Sequence, residues 1–167
     1  MPATQPILPG DNRKRDLTLA QPNNLPHIGL VGDTYAITVT GEQTDGRFCV
    51  IDMHIPPGGG PPPYRHDFEE TFLALESEME ATFRSKRSTV DAGETLNIPA
   101  NAPHQFHNTS TKPVRMRCIC SPAGREKFFI ESWGAGRNAD DATAEAGRKR
   151  AGRIHRESEG ACTQIPY

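Results

Sequence analysis

The 167-residue sequence contains no apolar run long enough to span a membrane, and no early apolar run of signal-peptide length behind a basic stretch. A soluble, cytoplasmic protein is therefore expected. Aromatic residues are few, at 7% with a single Trp, the apolar fraction is 35%, and mean hydropathy is -0.63. Part of the chain is thus not expected to pack. Neither sign of charge dominates, since 19 Lys and Arg against 21 Asp and Glu leave a net charge of -2 and a pI near 6.3. That balance offers no footprint for nucleic acid or for an acidic membrane.

Cysteine is also sparse. Cys49, Cys118, Cys120 and Cys162 lie in a chain that is neither short nor evidently secreted, so they do not read as a disulfide framework. Cys118 and Cys120, two apart on an expected strand, face the same way and read as small buried hydrophobes rather than as a metal pair. Asn108-Thr109-Ser110 fits the glycosylation acceptor pattern, which is idle without secretion.

A helical period is missing through the middle of the chain, and short β-type runs stand in its place. Tyr35 to Thr40, Phe48 to Ile55, Phe68 to Leu75, Met79 to Phe83, Ser88 to Val90, Thr95 to Ile98, Gln105 to Asn108 and Val114 to Cys120 are separated by turn residues. Eight strands in under a hundred residues predict an all-β antiparallel barrel or jelly roll. Residues 1–27 form an expected N-terminal arm, mobile or lying on a neighbouring subunit, and 28–121 the barrel. Ser121-Pro122 reads as a helix start, and the helix, residues 122–134, lays Phe129, Trp133 and Ile130 on the barrel before Gly134 ends it. Residues 135–167 read as a polar tail, either a frayed helix or disordered.

Two stretches concentrate chemistry. Gly58 to Glu70, GGGPPPYRHDFEE, sets Tyr64, His66, Asp67, Glu69 and Glu70 on a backbone stiffened by proline. Gly93 to Asn108, GETLNIPANAPHQFHN, carries His104 and His107. The two are expected to meet in space as one site. Alternation turns Glu69 and His107 outward as surface residues. His54, two residues after Asp52, is placed near the mouth with a structural role by default.

Together the stretches resemble the cupin superfamily, whose first motif reads G-x5-H-x-H-x3,4-E-x6-G and whose second reads G-x5-P-x-G-x2-H-x3-N. Gly58, Tyr64, His66, Glu70 and Ser77 fall on the first, and Gly93, Pro99, Asn101, His104 and Asn108 on the second. The likeness covers about residues 35 to 120 and implies a double-stranded β-helix with a short C-terminal helix. Ser77 and Asn101 stand where the family has glycines, and Tyr64 stands where it has its first metal-ligand histidine.

The resemblance implies His66, Glu70 and His104 as ligands of a divalent transition metal, with Tyr64 in the fourth place. Iron is the first expectation, with Mn, Ni or Zn as alternatives, and no metal if the Tyr64 change disables the site. Two imidazoles and a carboxylate are a set that non-haem iron enzymes use. Tyr64 has several open roles: phenolate ligand, proton donor beside the metal, a residue turned outward, or a filler of volume. The donor role ranks above ligation. Tyr64 and Glu70 are the candidate catalytic groups, and Phe72, Phe106, Met53, Met116 and Cys118 the candidate pocket lining. The function so implied is a metal-dependent enzyme of quercetinase-like type, expected as a homodimer, acting on a small hydrophobic or aromatic molecule by dioxygenase-type oxidation. Alternatives are a non-redox cyclase, isomerase or lyase using Glu70 and His104 as base and acid, and a non-catalytic ligand-binding protein.

Overall fold

The computed structural model describes residues 15–30, 32–133 and 163–164. Two sheets face each other across one core, as in a jelly roll. The first is formed by β1 (Ile28–Leu30), β2 (Asp33–Val39), β3 (Cys49–Ile55), β5 (Glu69–Glu76), β8 (Thr95–Ile98) and β10 (Val114–Ser121), in the spatial order β1-β2-β3-β10-β5-β8. The second contains β4 (Tyr64–Arg65), β6 (Glu78–Phe83), β7 (Lys86–Asp91), β9 (His104–His107) and β11 (Thr163–Gln164), in the order β11-β4-β9-β6-β7. The all-β expectation is met, and β2, β3 and β5 to β10 fall within a residue or two of the eight predicted runs, whereas β1, β4 and β11 were not expected.

Alternation explains the interior. Cys49, Ile51, Met53 and Ile55 of β3 point inward, as do Phe72 and Ala74 of β5 and Val114, Met116, Cys118 and Cys120 of β10. Apolar residues at those positions contribute about 1.5–3 kcal/mol each when fully buried. Tyr64, Glu70 and His104 occupy the same inward positions and are buried too. Polar side chains that interrupt an apolar inner face mark where the fold has given up packing for chemistry.

The turns bear out the family reading of their two substitutions. Ser77 and Asn101, at the expected glycine positions, have φ of 65° and 62°. The hairpin from β6 to β7 turns on Arg84 and Ser85, also at positive φ.

Three expectations need correction. The helix α1 spans Arg125–Trp133 and begins later than Ser121-Pro122, because Ser121 is still paired in β10 opposite Glu69, with its hydroxyl donating to the Arg47 carbonyl at 2.9 Å. Its inward residues are Phe128 and Phe129, whereas Ile130 is 43% exposed. The expected end at Gly134 lies outside the described residues. Within the polar tail, Thr163–Gln164 pair in parallel with Tyr64–Arg65, a contact that nothing in the tail's composition announces.

Candidate functional site

The site is assembled from three strands and one loop. Tyr64 on β4 pairs in register with His104 on β9, and Glu70 enters from β5 in the opposite sheet. Asp33 anchors the glycine loop that leads into β4. Its carboxylate accepts from the Gly60 amide at 3.1 Å and the Tyr35 hydroxyl at 3.0 Å. Gly60 has φ of 120°, and a Cβ there would collide with the Phe106 carbonyl. Only glycine lets the loop sit this close to β9. Asn108 closes the other side. Its backbone exchanges hydrogen bonds with Gly58 and Gly59, while its side-chain amide donates to the Ile55 and Lys112 carbonyls at 2.9 and 2.8 Å. In this chain Asn108 thus fixes loop geometry.

At the centre, His104 Nδ1 donates to the Ala102 carbonyl at 2.9 Å, and Nε2 lies 2.9 Å from Glu70 Oε2. His66 Nε2 lies 3.4 Å from the same oxygen and is buried without a hydrogen-bond partner. The electrostatic consequence is specific. With Nδ1 carrying the proton, Nε2 of a neutral His104 ring presents a lone pair to a carboxylate oxygen. Such a pairing is stable only with a second proton on the ring or a cation beside both groups. Burial opposes ionisation of Glu70, but the hydrogen bond with His104 and the close approach of the His66 ring outweigh it and bring its pKa down to about 2.

The other carboxylate oxygen, Oε1, accepts from the thiols of Cys118 at 3.8 Å and Cys120 at 3.9 Å. The two sulfurs are 3.6 Å apart, and Cys49, also a buried free thiol, lies directly across from Cys120. Glu70 therefore bridges an imidazole face and a thiol face. The metal-ligand atoms of His66, Glu70 and His104 lie within 4.8 Å of one another, as do those of Glu70, Cys118 and Cys120.

Tyr64 packs edge-on against His104 with ring centroids 4.2 Å apart, and lies 4.9 Å from His66. Burial, followed by the negative charge of Glu70, pushes its hydroxyl well above the usual phenol range. Tyr64 is accordingly a neutral phenol, turned inward rather than out.

A cavity of about 190 Å³ opens beside these groups. Met53, Phe72, Phe106 and Cys118 line it, and Pro61 to Pro63 form part of its wall. Met116 does not reach it. Its position on β10 is opposite Ala74, one inward step beyond the Phe72–Cys118 pair, and its side chain is wholly buried in the core. Tyr35, Arg125, Phe128 and Phe129 complete much of the wall, and sequence reading assigned none of them to it. The available signal was an arginine three residues before a Phe-Phe pair on the expected helix.

Glu69 and His107 lie on the outer faces of their strands, and His54, expected near the mouth, lies outside the barrel as well. Glu69 is exposed and accepts from the Asn97 side chain at 3.0 Å and the Ala100 amide at 3.3 Å. His107 is half-buried on the outer face, and His54 pairs with Asp52 at 3.1 Å, outside the barrel.

The cupin-domain family matches residues 51–120, which include Tyr64, His66, Glu70, His104, Cys118 and Cys120. Residues 51–120 thus form a cupin domain. It is 29% identical over 102 residues to quercetin 2,3-dioxygenase of Bacillus subtilis, covering 60% of this chain and 30% of that protein. It is 30% identical over 86 residues to auxin-binding protein 1 of Arabidopsis thaliana, covering 46% of this chain and 43% of that one. The match thus spans less than half the length of either curated relative. Among solved structures, the polyketide cyclase RemF from Streptomyces resistomycificus superposes with a TM-score of 0.57 at 19% identity, covering 64% of this cupin and 80% of RemF. That likeness is one of fold. No helix among the described residues is long and apolar enough to cross a membrane.

Proposed function

We propose that this cupin holds a divalent transition metal through His66, Glu70 and His104 and oxidises a small hydrophobic or aromatic molecule in the adjoining cavity by dioxygenase-type chemistry. The observation that carries the reading is the cluster of three buried ligand atoms in which His66 Nε2 has no hydrogen-bond partner and His104 Nε2 faces a carboxylate oxygen at 2.9 Å. The donor set fits such an ion. The Ala102 carbonyl fixes the His104 tautomer with Nε2 free to ligate. Two imidazoles and one carboxylate favour iron, with Mn, Ni or Zn compatible. When bound, the ion supplies Lewis-acid and redox chemistry.

The chain's own groups have separable tasks. Phe72, Phe106 and Met53 exclude water and take up an apolar ligand body. Tyr64, held as a phenol against His104, donates a proton or hydrogen bond to the bound molecule. The oxidative assignment draws on the likeness to quercetin 2,3-dioxygenase, an argument by analogy.

A second reading is favoured by Tyr64 itself, since a buried neutral acid beside His104 also suits a cyclase or isomerase that moves protons without oxygen. Glu70 and His104 would then serve as base and acid, although a carboxyl held near 2 is a weak base. Metal analysis of purified wild type beside His104→Ala and Tyr64→His tests the first reading. Metal should be retained by the wild type, lost from His104→Ala and bound more tightly by Tyr64→His. A wild type without metal, together with unchanged ligand binding in His104→Ala, would sink it and leave a binding protein. Turnover that persists without oxygen would select the cyclase or isomerase.

A further inference from the structure

One charged group in the cavity wall has no task in the scheme above. Arg125, at the start of α1, lines the same cavity as Tyr64 and Glu70. Its guanidinium stands over the rings of Phe128 at 4.9 Å and Phe129 at 4.7 Å. Nε is buried without a hydrogen-bond partner, and Arg125 forms no ion pair with a carboxylate among the described residues. The contrast with Arg115 is informative, because that residue meets Asp52 through two nitrogens at 3.1 and 3.2 Å. The positive charge of Arg125 also reaches Tyr64 and Cys118 inside the barrel.

An arginine N–H buried among aromatic rings loses hydration, and the rings recover only part of that loss. The guanidinium plane is fixed by the two Phe contacts, and its fork matches a pair of oxygens on one acid group. The neighbouring cavity wall is apolar: Tyr35, Met53, Phe72 and Phe106 offer it no anion, and the Tyr35 hydroxyl is already donated to Asp33. Glu70, the carboxylate lining the cavity, is held by the histidines and thiols.

We propose that Arg125 is the anion-binding residue of this cavity and that the ligand joins a carboxylate, or an equally acidic oxygen pair, to an apolar ring-bearing body. The acid seats on Arg125, and repulsion from Glu70 keeps it away from the imidazole end. The ligand's reactive part therefore faces Tyr64 and Glu70. This rests on the cavity being the substrate site but not on the presence of a metal.

The test uses full-length protein, both metal-loaded and chelator-treated, with cinnamate and its neutral amide as probes in calorimetric titrations. Cinnamate should bind about tenfold or more tightly than the amide in both forms, the scale of one charge-assisted contact. Arg125→Gln should abolish that preference while leaving amide affinity unchanged, which also shows that the cavity is intact. Arg125→Lys should keep part of the preference. Equal affinity for the two probes, a preference that survives Arg125→Gln, or failure of both probes to bind overturns the proposal. So does a preference seen only with metal and lost in His104→Ala, which would make the ion the anion's partner. A protein that binds no metal yet prefers cinnamate through Arg125 defeats the metalloenzyme reading and leaves this one standing.

Discussion

Tyr64 shows how a single substitution is read differently before and after folding. Its sequence position admits ligation, donation, an outward turn or simple filling. Burial beside a carboxylate selects a neutral, inward phenol, because ionising it would place two negative charges in one low-dielectric pocket. Tyr64→Phe should accordingly leave metal content unchanged in elemental analysis, whereas loss of a ligand would lower it. Asp33 is the converse case, a residue with no motif to recommend it that holds the loop by two buried hydrogen bonds. Asp33→Ala strands the Gly60 amide and the Tyr35 hydroxyl. A loss of about 2–4 kcal/mol is expected in urea unfolding, the cost of two unsatisfied buried groups. Its polar character in a β-branched run was visible, but its partners, 27 residues away for Gly60, were not.

Helix α1 closes the barrel and supplies Arg125, so its seating matters to the site. Glu126 does that seating, accepting at 2.8 Å from the Gly41 amide and at 2.8 Å from the Gly124 amide. Burial would raise its pKa, but hydrogen bonds from Cys49, Gly41 and Gly124 prevail and hold it below the ordinary carboxylate range. The folded value is depressed, so the stabilisation is fully present above the unfolded carboxylate pKa. It disappears as pH falls through the folded one. Glu126→Gln should be less stable than wild type at neutral pH by about 1–2 kcal/mol. In thermal melts that gap should shrink as pH drops below the usual carboxylate value. The glycine loop makes a second element-scale case. Gly60→Ala sets a Cβ against the Phe106 backbone at a φ that L-residues avoid, and should cost at least 2 kcal/mol, read as a lowered denaturation midpoint. The motif spacing marked glycine at Gly58, whereas the tighter constraint lies at Gly60, where the loop approaches β9.

At the scale of the whole molecule, the outer face of the first sheet carries a charge cluster absent from the sequence reading. Asp52 is fully buried under Arg115, Arg117 and His54. Asp52→Ala should destabilise by about 2 kcal/mol in chemical denaturation, below the usual figure for a broken buried pair because Arg115 can rehydrate. The assembly is a further expectation. Leu17 and Leu19 of the arm are 90% and 87% exposed, which supports a homodimer, and light scattering should give about twice the 18.3 kDa monomer mass. A monomeric mass would count against the arm as a subunit contact.

The barrel, its strands and the convergence of Tyr64, His66, Glu70 and His104 were legible in the residues alone. Alternation sets inward faces and the two motifs set spacing, and both are local properties of the chain. What only tertiary structure decided are the pairings between distant segments: Asp33 with Gly60, Glu126 with Gly41, Cys49 opposite Cys120, and Arg125 facing into the cavity. Those depend on how sheets and helix pack together, and no periodicity records the distance between residues that meet only when the chain has closed on itself.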